Sequence, residues 1–140
     1  MAEVASSSAG FGSQPFYSIT TNKDLIVAGT SEDILFWDVK KLQKPIGRFA
    51  ECHNSDVTGL KFNKTGDLLI SCSIDNVMSI FDLKLHDGGK RLKEDVLIDG
   101  AYSSTQPFID CGFVNDDIMW TQTSINTVEF VRVSDANCIL

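Results

Sequence analysis

The feature that most constrains this chain is a short motif that returns after a fixed interval. Leu35-Phe36-Trp37-Asp38 recurs as Ser79-Ile80-Phe81-Asp82, and the aromatic residues Trp37 and Phe81 lie 44 residues apart. A unit of this length cannot bury its hydrophobic face alone, so such units stack against one another and share their cores. The spacing therefore predicts a repeat architecture.

Short β-type runs separated by polar turns fill the chain from Pro15 onward. Each run is rich in Val, Ile, Phe and Thr, which suits strands, and is too short for a helix. No segment of the sequence shows sustained helical periodicity. The predicted strands are 16–20, 25–30, 34–39, 57–62, 68–73, 77–83, 96–98, 108–113, 118–123 and 127–133. We therefore expect an all-β fold of antiparallel strands.

The unit that begins at His53 and ends at Asp82 follows one pattern throughout. It reads His-x-x-x-Val-x-x-Leu-x-Phe-Asn-x-x-Gly-x-x-Leu-x-Ser-x-Ser-x-Asp-x-x-x-x-x-Phe-Asp. Over its whole length this pattern resembles a WD repeat. The resemblance implies four-stranded antiparallel propeller blades, and here an incomplete WD-repeat propeller.

The length of the repeat predicts the domain organisation. Residues 1–15, rich in Ser, Ala and Gly, are expected to form a disordered tail, and 16–140 a partial propeller with blades at about 16–50, 53–98 and 106–140. The second part amounts to about 2.8 repeats, whereas propellers close with roughly 4 to 8 blades. We therefore expect either a fragment or short isoform of a longer propeller, or self-association through the open blade faces.

The resemblance further implies a hydrogen-bonded tetrad of Trp, Ser or Thr, His and Asp in a blade. In the second blade the matching positions are His53, either Ser71 or Ser73, and Asp75. Phe81 stands in place of the Trp and has no N–H to donate, so the network loses one end.

The other two blades match the tetrad less completely. In the first blade Thr30 and Trp37 match, Asp33 is the candidate for the turn position, and the entering segment has no His. In the third blade Thr123 matches together with either Phe130 or Val131, and no His or Asp takes the remaining positions. The repeats are therefore imperfect.

The function that the resemblance implies is a non-catalytic scaffold for protein–protein interaction, in which one rim of loops and turns binds protein or peptide partners. By position on that rim, the expected partner-binding residues are Asn54, Ser55, Asp56, Ile74 and Asn76. The alternative is a small hydrolase or metal-dependent enzyme that uses Cys52, His53 and His86.

No catalytic residue, metal or cofactor is expected on the first of these readings. The cysteines Cys52, Cys72, Cys111 and Cys138 show neither a C-x-x-C motif nor zinc-finger spacing. We read them as reduced thiols, mostly packed in strands.

Charge and hydropathy bear on partners and location. With 19 acidic and 12 basic residues the chain carries a net charge of −7, which gives no general attraction to phosphates and argues against nucleic-acid binding. No apolar stretch approaches the roughly 18 to 20 residues of a membrane span, and the first 15 residues do not resemble a secretion signal. We therefore expect no membrane partner and a cytoplasmic or nuclear protein.

Overall fold

The computed structural model describes residues 15–83, 98–136 and 138–139. The strands in this part of the chain are β1 (Ser18–Asn22), β2 (Leu25–Gly29), β3 (Ile34–Asp38), β4 (Gly47–Phe49), β5 (Val57–Phe62), β6 (Leu68–Ser73), β7 (Val77–Asp82), β8 (Ile98–Ser103), β9 (Phe108–Phe113), β10 (Ile118–Thr123) and β11 (Val128–Arg132). They form three sheets of sequential antiparallel strands, β1 to β4, β5 to β8 and β9 to β11, which we call the first, second and third blades. The predicted all-β, antiparallel architecture is confirmed. None of the described residues forms a helix long and apolar enough to cross a membrane.

The strand bounds differ from the prediction where the β pattern is weak. β1 begins at Ser18 rather than at residue 16, and β8 covers Ile98–Ser103 rather than 96–98. Gly100 and Ala101 have low β propensity, which concealed that strand. β4 had no predicted counterpart, because three residues are too few to show alternation. Residues 1–14 of the expected tail (1–15), the predicted strand residues 96–97 and His86 lie outside the described residues.

Two apolar cores join the three blades. The core between the first and second blades consists of buried residues from both: Val27, Ile34, Phe36, Phe49, Val57, Leu60, Leu69, Phe81 and Leu83. The core between the second and third blades contains Ile70, Cys72, Met78, Ile80, Phe108, Cys111, Met119 and Val131. Alternate residues of the second blade thus face opposite neighbours, as the two-residue period of a strand requires.

The hairpin turns lie at two opposite ends of each blade. Between β5 and β6, Gly66 adopts a φ of +80°, which a side chain would strain. Between β6 and β7, Asn76 takes a φ of 71°, which asparagine tolerates better than most residues. Because consecutive strands are antiparallel, these two turns are at opposite ends. We call the end that carries residues 30–33, 50–56, 73–76, 104–107 and 123–127 the rim.

Candidate binding rim

A buried histidine ties the segment that enters the second blade to the β6–β7 turn. The Nδ1 of His53 lies 3.0 Å from Asp75 Oδ2, and its Nε2 lies 2.7 Å from Ser71 Oγ. The backbone N–H of Asn54 donates to the same carboxylate at 2.8 Å. The His53 side chain is fully buried and that of Asp75 is 6% exposed. One carboxylate therefore holds two consecutive residues of the entering segment.

The surroundings determine the protonation of His53. Burial lowers the pKa of His53, and the charge and hydrogen bond of Asp75 offset that effect only in part. The ring is therefore neutral near pH 7. Because a carboxylate only accepts hydrogen bonds, Nδ1–H donates to Asp75, and Nε2 accepts the hydroxyl proton of Ser71.

The structure distinguishes the two serines between which the sequence could not choose. Ser71 contacts His53, whereas Ser73 Oγ donates to the carbonyl of Ser55 at 3.2 Å and accepts from the N–H of Asp75 at 3.1 Å. Phe81 is fully buried and its ring packs on Phe49, with 4.9 Å between centroids. The position that would supply a Trp N–H therefore serves the apolar core between the first and second blades.

The first blade secures its β2–β3 turn with a different set of groups. The Thr30 hydroxyl pairs with the backbone of Asp33, with 3.3 Å to both its N–H and its carbonyl. The Asp33 carboxylate accepts from Arg48, with an Nη2–Oδ2 distance of 2.7 Å, and from the N–H of Glu51 at 2.8 Å. Trp37 packs edge-on against Phe16 on the face turned away from the second blade. Thr30 and Trp37 thus lie in separate environments.

Strand register explains why these two residues are apart. Ser71 is paired with Ser79, two positions before Phe81, and in the first blade the corresponding pair is Ala28 with Leu35, two positions before Trp37. Ala28 has no hydroxyl, so the first blade cannot copy the His53–Ser71 bond. Arg48, which lies in the unpredicted strand β4, was not found from the sequence.

The third blade secures its β10–β11 turn with hydroxyl groups and a backbone bond. The register places Val131 opposite Met119, at the position that Phe81 takes opposite Leu69. The Thr123 hydroxyl lies 2.5 Å from that of Thr127, across the β10–β11 turn. The N–H of Ser124 donates to the carbonyl of Pro107 at 2.9 Å, which fastens this turn to the entering segment.

The five expected partner-binding residues lie together on the rim. Asn54 is exposed, Ile74 is 38% exposed, and Ser55, Asp56 and Asn76 are half-buried. Asp56 also joins two blades, because its Oδ1 accepts from the Ser31 hydroxyl at 3.0 Å. The side chains of Asn54 and Ile74 therefore face solvent from a backbone that the surrounding hydrogen bonds hold in place.

The rim has a one-sided charge. Its loops contain Glu32, Asp33, Glu51, Asp56 and Asp75, and no Lys or Arg falls within the described rim segments. Asp33 is neutralised by Arg48 from β4, and the Asp75 side chain is buried. Glu32 and Glu51 are exposed and Asp56 is half-buried. The rim thus presents both carboxylates and the exposed apolar side chains of Ile74 and Ile125.

The groups proposed for an enzyme are not assembled in the described part of the chain. Asp75 and Ser71 engage both nitrogens of His53, and the Cys52 thiol donates to the carbonyl of Glu32 at 3.3 Å. His86 lies outside the described residues. Within residues 15–83, 98–136 and 138–139, no group of three or more His, Cys, Asp and Glu side chains could hold a metal ion.

Hydroxyl groups on the innermost strands connect successive blades. Ser18 Oγ donates to the carbonyl of Val57, and Thr58 Oγ1 donates to the carbonyl of Phe108, each at 2.7 Å. Between the last strands of the second and third blades, the Glu129 carboxylate accepts from the Tyr102 hydroxyl at 2.5 Å and from Ser104 Oγ at 2.8 Å. These contacts depend on register between blades, which the sequence pattern alone does not show.

Comparison with known proteins agrees with the geometry. The family described as WD domain, G-beta repeat matches residues 43–82. The uncharacterized WD repeat-containing protein C63.06 of Schizosaccharomyces pombe is 33% identical over 93 residues, which are 61% of this chain and 28% of that protein. The uncharacterized WD repeat-containing protein YNL035C of Saccharomyces cerevisiae is 24% identical over 127 residues, which are 86% of this chain and 31% of that protein. The chain thus spans about a third of the length of these curated relatives.

Solved structures show the same fold at low sequence identity. The WD40 repeats of RRP9 superpose with a TM-score of 0.76 at 10% identity, over 91% of this chain and 38% of that chain. A chain of the mitotic checkpoint complex superposes with a TM-score of 0.69 at 17% identity, over 86% of this chain and 36% of that chain. In both cases this chain covers less than two fifths of the solved chain.

Proposed function

We propose that this chain, which is a partial WD-repeat β-propeller, is a non-catalytic scaffold that binds protein or peptide partners at its rim. The observation that carries the proposal is the His53–Asp75 arrangement. His53, the one histidine in the described part of the chain, fixes the segment that enters the second blade. The neighbouring side chains of Asn54 and Ile74 remain exposed and can contact a partner. A binding loop that is already ordered loses less conformational entropy when a partner binds.

Structural neighbours support a protein partner. One of them is a chain in the crystal structure of the mitotic checkpoint complex, which is an assembly of proteins. A fold does not by itself determine function, so the argument for this chain rests on its own rim residues.

The chemistry of the rim indicates which partners fit. The rim that carries the exposed carboxylates of Glu32 and Glu51 also carries an exposed isoleucine, Ile74. Such a surface complements a segment that carries Lys or Arg next to an apolar residue, and it repels nucleic-acid phosphates. We therefore propose basic, partly apolar protein segments as partners. Their association should weaken as salt is raised.

The test compares a rim variant with a matched variant at the other end. Ile74→Lys adds a positive charge to the carboxylate-bearing rim and removes the exposed apolar group. Val114→Lys makes the same chemical change at a 53% exposed valine just before the β9–β10 turn. Proteins cross-linked to the full chain in cell extract should be identified, expressed singly and titrated against both variants. Loss of binding with Ile74→Lys alone supports the rim, whereas equal binding by both variants, or loss with Val114→Lys alone, contradicts it.

A second surface supports the predicted self-association. The face of the first blade turned away from the second carries Ile26, Ala28 and Trp37, beside a cavity of about 460 Å³ that Phe16 and Leu42 also line. By register this face corresponds to the Leu69 and Phe81 face of the second blade, which the first blade covers completely. We propose that another blade covers it, supplied by a second copy when this chain is alone.

Light scattering at several concentrations tests this second proposal. A mass that rises with concentration, and that Phe16→Asp returns to one chain, supports contact through this face. A single-chain mass at every concentration contradicts self-association and favours the expected fragment of a longer propeller.

Two finer predictions belong with this proposal. From the order of matches, Val27-Ala28-Gly29-Thr30 to Phe81-Asp82-Leu83, we propose a resemblance to the central blades of WD repeat-containing protein 89. We also propose a cytoplasmic or nuclear location, which agrees with the expectation of reduced cysteines. Microscopy of the tagged full chain checks the location, and a secreted or membrane-bound pool would contradict it.

A further inference from the structure

Two buried cysteines meet where the second and third blades join. Cys72 lies on β6 and Cys111 on β9, and both are fully buried. Both belong to the apolar core between these blades. They are 39 positions apart in the sequence, so only the packing of two blades brings them together.

Gly59 lies against both sulfurs. It is paired with Cys72 in the second blade. The point where a Gly59 Cβ would stand is 2.7 Å from Cys72 Sγ and 3.2 Å from both Cys111 Sγ and the Cys111 backbone nitrogen. A side chain at position 59 would therefore displace at least one of the two thiols. The two sulfurs both border the space beside this glycine.

The electrostatic surroundings of Cys111 agree with this contact. A hydrogen bond with the Cys72 thiol is the largest influence that raises the pKa of Cys111, and burial adds to it. The Cys111 thiol is thus protonated in the reduced protein, and both thiols are shielded from solvent by burial. The pair reacts through proximity once the two blades open transiently.

We propose that Cys72 and Cys111 form a dithiol site that is oxidised to a disulfide between the second and third blades. The oxidant is a low-molecular-weight disulfide such as glutathione disulfide. One cysteine thiolate attacks a glutathione sulfur, which forms a mixed disulfide and releases one glutathione thiolate. The second cysteine then attacks the protein sulfur of that mixed disulfide and releases the second glutathione. The two cysteines lose two electrons and two protons, and these reduce the glutathione disulfide to two glutathione thiols.

The consequence lies at the interface between blades. A bond at this place would join two blades that otherwise hold together by apolar packing and by hydrogen bonds such as that from Thr58 to Phe108. The closed form would restrict how far the rim segments of the third blade, 104–107 and 123–127, can move relative to residues 73–76. The same cysteines in the reduced state leave that movement to non-covalent contacts.

The test is an equilibrium measurement on the full chain. The protein is incubated in buffers of fixed oxidised-to-reduced glutathione ratio, both folded and in denaturant, and is then quenched by alkylation and mapped by mass spectrometry. We expect a Cys72–Cys111 linked peptide whose effective concentration is more than about tenfold higher in the folded chain than in the denatured chain. By linkage, the oxidised chain should melt at a higher temperature than the reduced chain.

The controls separate this pair from the other thiols. A variant with Cys52→Ser and Cys138→Ser keeps only the two buried cysteines and should give the same folded-to-denatured ratio. In the Gly59→Ala variant the new Cβ would stand 2.7 Å from Cys72 Sγ and 3.2 Å from Cys111 Sγ, so the sulfurs must shift and the ratio should fall. The proposal is overturned if the effective concentration in the folded wild-type chain is equal to or lower than that in the denatured chain. It is also overturned if Cys72 or Cys111 links chiefly to Cys52 or Cys138 in the folded chain. The wild-type comparison decides the matter even if a variant does not fold.

Discussion

Truncation of His53 to alanine should destabilise the fold rather than abolish an activity. The variant loses the bond to the Asp75 carboxylate, worth about 1.5–3 kcal/mol for a charged acceptor, and the bond to the Ser71 hydroxyl, worth about 1 kcal/mol. Asp75 keeps its bond from the Asn54 N–H, so its carboxylate is not left without a partner. The free energy of unfolding should therefore fall by about 3 kcal/mol, a large part of the roughly 5–15 kcal/mol of a typical domain.

Thermal and denaturant unfolding measure this loss, and two matched variants order the contributions. Ser71→Ala removes only the weaker bond and should cost about 1 kcal/mol. Asn54→Ala removes an exposed side chain but keeps the backbone N–H, so its effect should stay within about 0.5 kcal/mol. The double variant of His53 and Ser71 should be less destabilised than the sum of the single variants, because both remove the same bond.

A catalytic role for His53 predicts the opposite result. In that case His53→Ala would melt close to the wild-type temperature while a measurable turnover disappeared. A loss of stability below about 1 kcal/mol, or no difference between His53→Ala and Asn54→Ala, would refute the reasoning from the hydrogen bonds.

Three further predictions follow from the hydrogen bonds. Burial lowers the pKa of His53 below its unfolded value near 6.5, so the unfolded chain takes up the proton first as pH falls. The free energy of unfolding should therefore decline below about pH 6.5. Denaturant melts from about pH 8 to 5 should show a steeper decline for wild type than for His53→Gln. Thr58→Val deletes the donor to the Phe108 carbonyl and should lower the free energy of unfolding by about 1–2 kcal/mol, whereas Thr65→Val, at an exposed turn, should change it by less than about 0.5 kcal/mol in the same melts. Amide hydrogen exchange should be faster at residues 124–126 than at 74–76, since hydroxyl groups rather than a carboxylate hold the first segment; equal rates would contradict this.

The regular parts of the fold could be predicted from the sequence because they follow local periodicity. β5, β6, β9 and β10 have the predicted bounds, since each is a six-residue run of apolar and β-branched residues between polar turns. β4 and β8 could not be found in that way. β4 has three residues, and β8 contains Gly100 and Ala101, so pairing with a neighbouring strand rather than local propensity makes each of them a strand.

The contacts at the rim were only partly predictable. His53 and Asp75 could be placed because the repeat pattern has a position for each of them. Ser71 and Ser73 are two residues apart and therefore on the same face of β6, so alternation does not distinguish them. The choice of Ser71 depends on the point along β6 that the His53 ring reaches. Contacts between blades, such as that of Cys72 with Cys111, depend on how one sheet lies on another, and no pattern within a repeat carries that information.

The three blades hold their rim turns with different side chains and bonds. The repeat sequences therefore differ from one another although the blades share the same antiparallel strand order. In the first blade Asp33 accepts from Arg48 and the Glu51 N–H, and in the second Asp75 accepts from His53 and the Asn54 N–H. In the third, threonine hydroxyls and a backbone bond from Ser124 do the same work. Bonds to a charged group are worth about 1.5–3 kcal/mol and those between neutral groups about 1 kcal/mol. The rim is therefore held most firmly in the first two blades, on either side of the exposed Asn54, and this is the place where an ordered docking surface is best supported.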